Sequence, residues 1–175
     1  MSTRIGFLRA VNVGKRTVAM SRLAEMVTEL GYGDAWTYIN SGNVVFDAGG
    51  RRDAIERRLE AAFEAELGFE VTTFVRTPAE LRHALDLAPF EVADGDTYFV
   101  TFLKRSPDAT AVAALEALSG DFDTLVVDGA DVHWRMRGKS TDSPLTKRDW
   151  EAVLGKLSST SRNVTMLRKL VAKLG

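Results

Sequence analysis

The chain has 175 residues, enough for one large domain or two small ones, and a fold of that size buries about 70% of its unfolded surface. Its 23 basic and 24 acidic residues leave a formal charge of -1, which argues against sequence-independent nucleic-acid binding driven by phosphate neutralisation. Without cysteine, disulfides, thiolate nucleophiles and cysteine-ligated metals are excluded, and two histidines are too few for a zinc site built on several imidazoles.

No segment approaches the ~20 consecutive apolar residues that a membrane helix requires, and the N-terminal residues lack a signal-peptide pattern. The absence of cysteine fits a reducing compartment. We therefore expect a cytoplasmic protein that does not associate with membranes. No motif requires a metal or a cofactor.

Residues 1–77 predict six elements in the order strand, helix, strand, strand, helix, strand. Apolar residues recur at helical spacing over 20–30 and 52–67, and Gly31 and Gly68 follow as C-terminal caps. Strands are predicted over 5–11, 36–39, 44–46 and 71–76, and the first has apolar residues on both faces, so both should be covered. This order is the ferredoxin-like βαββαβ plait.

Residues 78–96 are predicted to be a connector, with a short helix through Leu87 and then an acidic loop. Residues 97–175 repeat the pattern, with strands over 98–103, 122–127 and 132–137 and helices over 109–118 and 147–157. The last segment, 164–174, has helical spacing where the first unit has a strand. We therefore predict an α+β protein whose second plait-like subdomain is incomplete or rewired and ends in a helix.

The first predicted strand runs into a polar loop that contains Asn12, Gly14 and Lys15. The loop lies between a strand and a helix, where backbone N–H groups and a positive helix end can receive an anion. The same residues also suit an ordinary turn with a solvated lysine, and this alternative stays open.

The first hairpin has the polar turn Asn40-Ser41-Gly42-Asn43. Ser41 and Gly42 are small residues that suit positive backbone angles, whereas the two amides exceed what a hairpin requires. The surplus amides indicate a site.

A third polar stretch, Thr160–Asn163, precedes the last predicted helix. Ser161 or Asn163 fits the N-cap position, and Arg162 between them places a cation where it opposes the helix dipole. We therefore expect Arg162 either to pair with a carboxylate or to hold an anion. Arg9, at the end of an otherwise apolar strand, presents the same alternative.

Other charged segments carry weaker signals. His133, Arg135 and Arg137 alternate along one face of a predicted strand and form a basic ribbon, which we expect to be solvated. The segment Gly138–Thr141 is similar to the end of a phosphate loop but lacks the earlier glycine. His83, on the connector helix, is expected at the surface without a fixed partner.

The chain contains the blocks LRAVNVGK, LGYGDAWTYINSGNVVF, RTPAEL and STSRNVTMLRKL, in this order and spacing. These blocks resemble those of the DUF1697 family, bacterial proteins of unknown function. The resemblance implies a two-part protein of plait-like units and no established activity. Nine positions retain the family pattern and are carried over as candidate site residues: Arg9, Asn12, Gly14, Ser41, Gly42, Asn43, Arg162, Asn163 and Thr165.

These observations predict a polar pocket between the subdomains that binds a small anionic ligand, phosphate-bearing or nucleotide-like. Arginine and Lys15 would pair with the charge, while asparagine and serine would set the orientation. One alternative is an RNA-binding plait, based on Phe7 and Phe46 on the first and third strands. Another is a structural or interaction protein without a ligand. No motif assigns a catalytic residue or a reaction.

Overall fold

The computed structural model describes residues 1–39, 42–156 and 159–175. The chain divides into two compact units, Met1–Leu81 and Arg82–Gly175, so the boundary falls within the third helix. Across the described ranges, no helix combines the length and the apolarity that a membrane crossing requires.

The first unit has the six predicted elements and one four-stranded antiparallel sheet in the order β2-β3-β1-β4. This is the strand order of the ferredoxin-like plait. The elements are β1 (Ser2–Leu8), α1 (Met20–Glu29), β2 (Trp36–Thr37), β3 (Asn43–Ala48), α2 (Arg52–Leu67) and β4 (Thr73–Arg76).

The first core forms where α1 and α2 pack on one face of this sheet. Leu8 and Val44 project from the sheet, and Leu23, Leu59 and Phe63 from the helices, and all five are buried. The apolar stripes of both helices thus lie where their periodicity predicts. Ile5 and Phe7, which point to the opposite face, are also fully buried, so the predicted covering of both faces of β1 is confirmed.

The second unit repeats this architecture after α3 (Pro78–Leu87). Its sheet has the order β6-β7-β5-β8, which matches the first sheet strand for strand. The elements are β5 (Thr97–Leu103), α4 (Ala109–Glu116), β6 (Asp123–Asp128), β7 (Asp131–Met136), a 3-10 turn (Ser140–Asp142), α5 (Lys147–Leu154), β8 (Ser159–Asn163) and α6 (Val164–Leu174).

The strand that the second unit was expected to lack is β8, which lies just before the last helix. It pairs antiparallel with β5, and the hydroxyls of Ser161 and Thr101 lie 2.7 Å apart. The rewiring predicted for this unit is therefore the addition of α6 after a complete βαββαβ order. Leu157, the predicted end of α5, lies outside the described residues.

The second core packs α4 and α5 on one face of this sheet. Leu103, Leu125 and Val132 come from the strands, and Leu115 from α4, and all are buried. Since side chains alternate along a strand, His133 lies on the other face of β7.

Candidate functional site

The loop of residues 9–18, which follows β1, is closed by Asn12. The Asn12 N–H donates to the Arg16 carbonyl at 2.6 Å, and Asn12 Oδ1 accepts from the Val18 N–H at 3.0 Å. Asn12 has φ 58°, a left-handed conformation that asparagine tolerates better than most residues. Its side chain therefore holds the loop in shape.

The tip of this loop is a tight turn at Gly14 and Lys15. The Arg16 N–H donates to the Val13 carbonyl at 3.1 Å, and Gly14 has φ 59°, as the first central residue of a type II′ turn requires. Both tip residues are exposed. Within the part of the chain that the structure describes, their N–H groups have no acceptor.

Positive φ angles alternate along the loop. Ala10, Asn12 and Gly14 have φ of 56°, 58° and 59°, whereas Val11 and Val13 between them are not in this region. The Asn12 N–H bonds within the loop, whereas the N–H groups of Gly14 and Lys15 at the tip are available to an anion. Left-handed Ala10 also costs conformational energy, and such outliers concentrate at functional sites.

The hairpin turn packs directly against this loop. The Leu8 N–H donates to the Gly42 carbonyl at 2.8 Å. Gly42 has φ 78°, and a Cβ there would lie 2.5 Å from Val11 Cγ2, so only glycine fits. Two of the three predicted polar stretches therefore lie together at one end of the first unit.

Asn43 is buried, and its Nδ2 donates to the Tyr38 carbonyl at 2.8 Å. This bond ties the two sides of the hairpin together. Ser41, the remaining candidate of the turn, lies outside the described residues.

Two arginines lie near the ends of the loop. The N–H of half-buried Arg9 donates to the Thr72 carbonyl at 2.9 Å, which attaches the start of the loop beside β4. Arg16 lies over the Phe69 ring, with its Cζ 4.8 Å from the centroid, and its guanidinium bonds the Glu70 carbonyl. The sequence offered no signal for Arg16 beyond its position next to Lys15.

The third polar stretch lies in the second unit. Arg162 is in β8 rather than in the helix, and its side chain is buried. Its Nη1 donates to Thr160 Oγ1 at 2.8 Å and to the Ser161 carbonyl at 2.9 Å. Burial lowers the pKa of Arg162 to about 10, so the guanidinium is still charged at neutral pH.

Asn163 is the N-cap of α6. Its Oδ1 accepts from the Thr165 N–H at 2.8 Å, which confirms one of the two predicted caps. Thr165 is exposed in the first turn of the helix.

The predicted solvated ribbon on β7 is wrong in two of its three members. His133 is fully buried, and Arg135 is half-buried, with its Cζ 5.5 Å from the centroid of the Phe90 ring. Arg135 also donates to Thr124 Oγ1 at 2.7 Å and to the Glu91 carbonyl at 3.2 Å. The segment that contains Phe90 and Glu91 thus covers this face, which periodicity alone did not indicate. Arg137 is exposed, as expected.

One further expectation is corrected: His83 is exposed but has a fixed partner, since its Nε2 lies 2.8 Å from Asp128 Oδ2. The loop that begins with Gly138–Thr141, which lacks the phosphate-loop glycine, is tethered to an acid, because Ser143 Oγ donates to buried Asp123 Oδ1 at 2.8 Å. A carboxylate at this point is unfavourable for a bound phosphate.

The aromatic residues behind the RNA hypothesis do not share a face of the sheet. Phe7 is opposite Asn43, and Phe46, three residues farther along β3, is opposite Arg4, so the two rings point to opposite sides. Both are buried, with exposed fractions of 0% and 2%. RNA-recognition plaits stack bases on accessible rings of one face, so the motivating observation is lost.

Within the described ranges, no group of three or more histidine, aspartate or glutamate side chains is placed to hold a metal ion.

The family described as "Protein of unknown function (DUF1697)" matches residues 1–133 of this chain. The chain belongs to the DUF1697 family. The matched range includes the loop of residues 9–18 and the hairpin turn, whereas Arg162, Asn163 and Thr165 lie beyond it. No curated protein matches the chain.

One solved structure with this architecture is a conserved bacterial protein, SP0830, from Streptococcus pneumoniae. The similarity covers 99% of this chain and 98% of that one, with a TM-score of 0.74 and 20% sequence identity. Likeness at this identity concerns the fold alone. It agrees with the two four-stranded sheets, so the predicted fold class is confirmed for this DUF1697 member.

Proposed function

We propose that this DUF1697 protein binds a small anionic ligand, phosphate-bearing or nucleotide-like, at the end of its first unit where the loop of residues 9–18 meets the hairpin turn. The observation that carries the proposal is the tight turn at Gly14 and Lys15, whose N–H groups have no acceptor among the described residues, together with the exposed ammonium of Lys15. Unused backbone N–H groups at the tip and a nearby cation together suit phosphate oxygens.

In this proposal the candidate residues have different tasks. Gly14 and Lys15 contact the anion, and Arg9 adds positive charge at the start of the loop. Asn12 and Asn43 hold the loop and the hairpin in place, since their side chains bond backbone groups. The participation of Ser41, Arg162, Asn163 and Thr165 in one pocket with these residues stays a prediction, as does a cytoplasmic location.

The test is a thermal-shift screen of the full chain against inorganic phosphate, pyrophosphate and a panel of nucleotides, with Lys15→Ala as the diagnostic variant. Lys139→Ala is the matched control, because Lys139 is an exposed lysine of the second unit. We expect at least one compound to raise the Tm of the parent and of Lys139→Ala, and to raise that of Lys15→Ala less.

If no compound stabilises the parent protein, the proposal loses its basis and the interpretation as a structural protein is favoured. If a compound stabilises the parent and Lys15→Ala equally, the anion binds elsewhere. A filter-binding assay with single-stranded RNA at two salt concentrations tests the remaining alternative, for which the positions of Phe7 and Phe46 give no support.

A further inference from the structure

The second unit contains a buried pair of titratable side chains that the proposed function does not use. His133 on β7 is fully buried, and its Nδ1 lies 2.5 Å from the hydroxyl oxygen of Tyr98 on β5. The other ring nitrogen, Nε2, is buried and has no hydrogen-bond partner among the described residues. One nitrogen of this imidazole therefore has a hydrogen-bond partner, and the other has none among the described residues.

The protonation states follow from burial. Burial raises the pKa of Tyr98 to about 12, so at neutral pH the hydroxyl is protonated and shares a hydrogen bond with His133 Nδ1. In either tautomer of the neutral imidazole, Nε2 has no partner among the described residues. Burial also lowers the pKa of His133. A charged imidazolium would need an acceptor at both nitrogens, and Nε2 has none in the described chain.

The charges around His133 do not compensate for its burial. The Asp128 carboxylate favours a charged His133, but Asp128 is already bonded to His83. Positive charge on His83 in turn opposes positive charge on His133. Arg135 lies on the same face of β7 as His133. Val100 of β5 is paired with His133 on one side and with Arg162 of β8 on the other, so Arg162 also lies on this face. The titratable and charged groups facing this region, by element, are His83 (α3), Tyr98 (β5), Asp128 (β6), Asp131 and Arg135 (β7), Arg162 (β8) and Arg168 (α6).

We propose that the Tyr98–His133 contact is an acid-sensitive latch, whose opening at mildly acidic pH loosens β7 from β5 and leaves the first unit folded. The direction follows from linkage. The folded state keeps His133 neutral, whereas in the unfolded state the same histidine binds a proton below its pKa of about 6.5. The folded state is therefore at no disadvantage above this pH and loses stability as the pH falls below it.

The composition of the two units makes the latch testable inside one molecule. Both histidines of the chain, His83 and His133, lie in the second unit, so the first unit contains none. Between about pH 7.5 and 5.5, histidines are the side chains that titrate at their ordinary pKa. The first unit therefore serves as an internal control for any pH effect in this interval.

The experiment is amide hydrogen exchange of the full chain at pH 7.5 and 5.5, corrected for the intrinsic pH dependence of exchange. Because pH 5.5 lies about one unit below the unfolded histidine pKa, linkage allows a loss of up to about tenfold, and we expect β5 and β7 to lose up to about tenfold in protection at the lower pH. The strands β1 and β3 should keep theirs. The loss should disappear in His133→Gln and persist in His83→Gln, the matched control that removes the exposed histidine.

Equal protection of β7 at both pH values overturns the latch, and so does a loss that persists in His133→Gln. Should that variant not fold, the imidazole proton resonances of the parent decide, since only two histidine signals exist. A His133 signal that titrates near pH 6.5 while β7 stays protected contradicts the proposal. Anion binding at the first unit is independent of either result.

Discussion

Glu56 is a buried carboxylate that satisfies the backbone of a neighbouring strand. It lies on α2 and is 3% exposed, and its Oε2 accepts from the Val75 N–H of β4 at 2.9 Å. The hydrophobic stripe of α2 predicts the burial of Ile55 and Leu59, but not that of the glutamate between them. Glu56 is buried because β4, the edge strand of the sheet, lies beside α2, and local periodicity does not encode that position.

Replacing Glu56 with alanine leaves the Val75 N–H without its acceptor in a buried site. We expect the free energy of unfolding to fall by about 1–3 kcal/mol, as measured by urea denaturation. Glu64→Ala is the matched control, because Glu64 is an exposed glutamate of the same helix. Equal effects of the two substitutions would show that the Glu56 bond contributes nothing to stability.

Asp123 has a similar task in the second unit. Its Oδ1 accepts from Trp134 Nε1 at 2.7 Å and from Ser143 Oγ at 2.8 Å, and the side chain is 1% exposed. These bonds fasten the loop after β7 to the helix-covered face of the sheet. The sequence showed a polar loop with a lysine, whereas the acid that holds it is distant in sequence.

Asp123→Ala removes the acceptor of two donors at once, so we expect a loss of about 2–4 kcal/mol in the free energy of unfolding. Tryptophan fluorescence follows the transition, and the emission of the folded state should also shift, because the Trp134 indole loses its partner. Asp121→Ala, an exposed neighbour, should leave both unchanged. A folded-state spectrum of Asp123→Ala identical to that of the parent would contradict the bond to Trp134.

Among the elements, the helices were predicted best. The bounds of α2, α3 and α6 agree with the apolar spacing, because an amphipathic stripe and a glycine or asparagine at the end are local signals. The strand β8 was missed because its sequence, Ser159–Asn163, is polar throughout and has no alternation of apolar residues. Its register comes from pairing with β5, a contact between residues about 60 positions apart.

Asn163 links β8 to α6 and gives a prediction for that helix. Replacement by alanine removes the acceptor of the Thr165 N–H, and we expect a loss of about 0.5–2 kcal/mol in urea unfolding. Asn163→Asp should retain the stability, since a carboxylate caps the N-terminus equally well and favours the dipole. If Asn163→Asp is as unstable as Asn163→Ala, the side chain has another task there.

At the scale of the whole molecule, the sequence predicted two plait-like units, and the resemblance of its motifs predicted the family. The site was predictable only in part. The meeting of the first loop with Gly42 follows from the antiparallel pairing of β1 and β3, which the plait implies. The cap at Asn163 was one of two predicted, but the bonds of Asn12 and Asn43 did not follow, because a list of amides does not show which backbone groups they bond.

The central claim, that the loop of residues 9–18 receives an anion, is tested most directly by an NMR titration of the full chain with pyrophosphate and nucleotides. We predict saturable shifts of the Gly14 and Lys15 amide signals with at least one of these compounds, and weaker binding in Lys15→Ala. Gly14 and Lys15 signals that stay in place with every compound would contradict the claim, whether or not other amides of the protein respond.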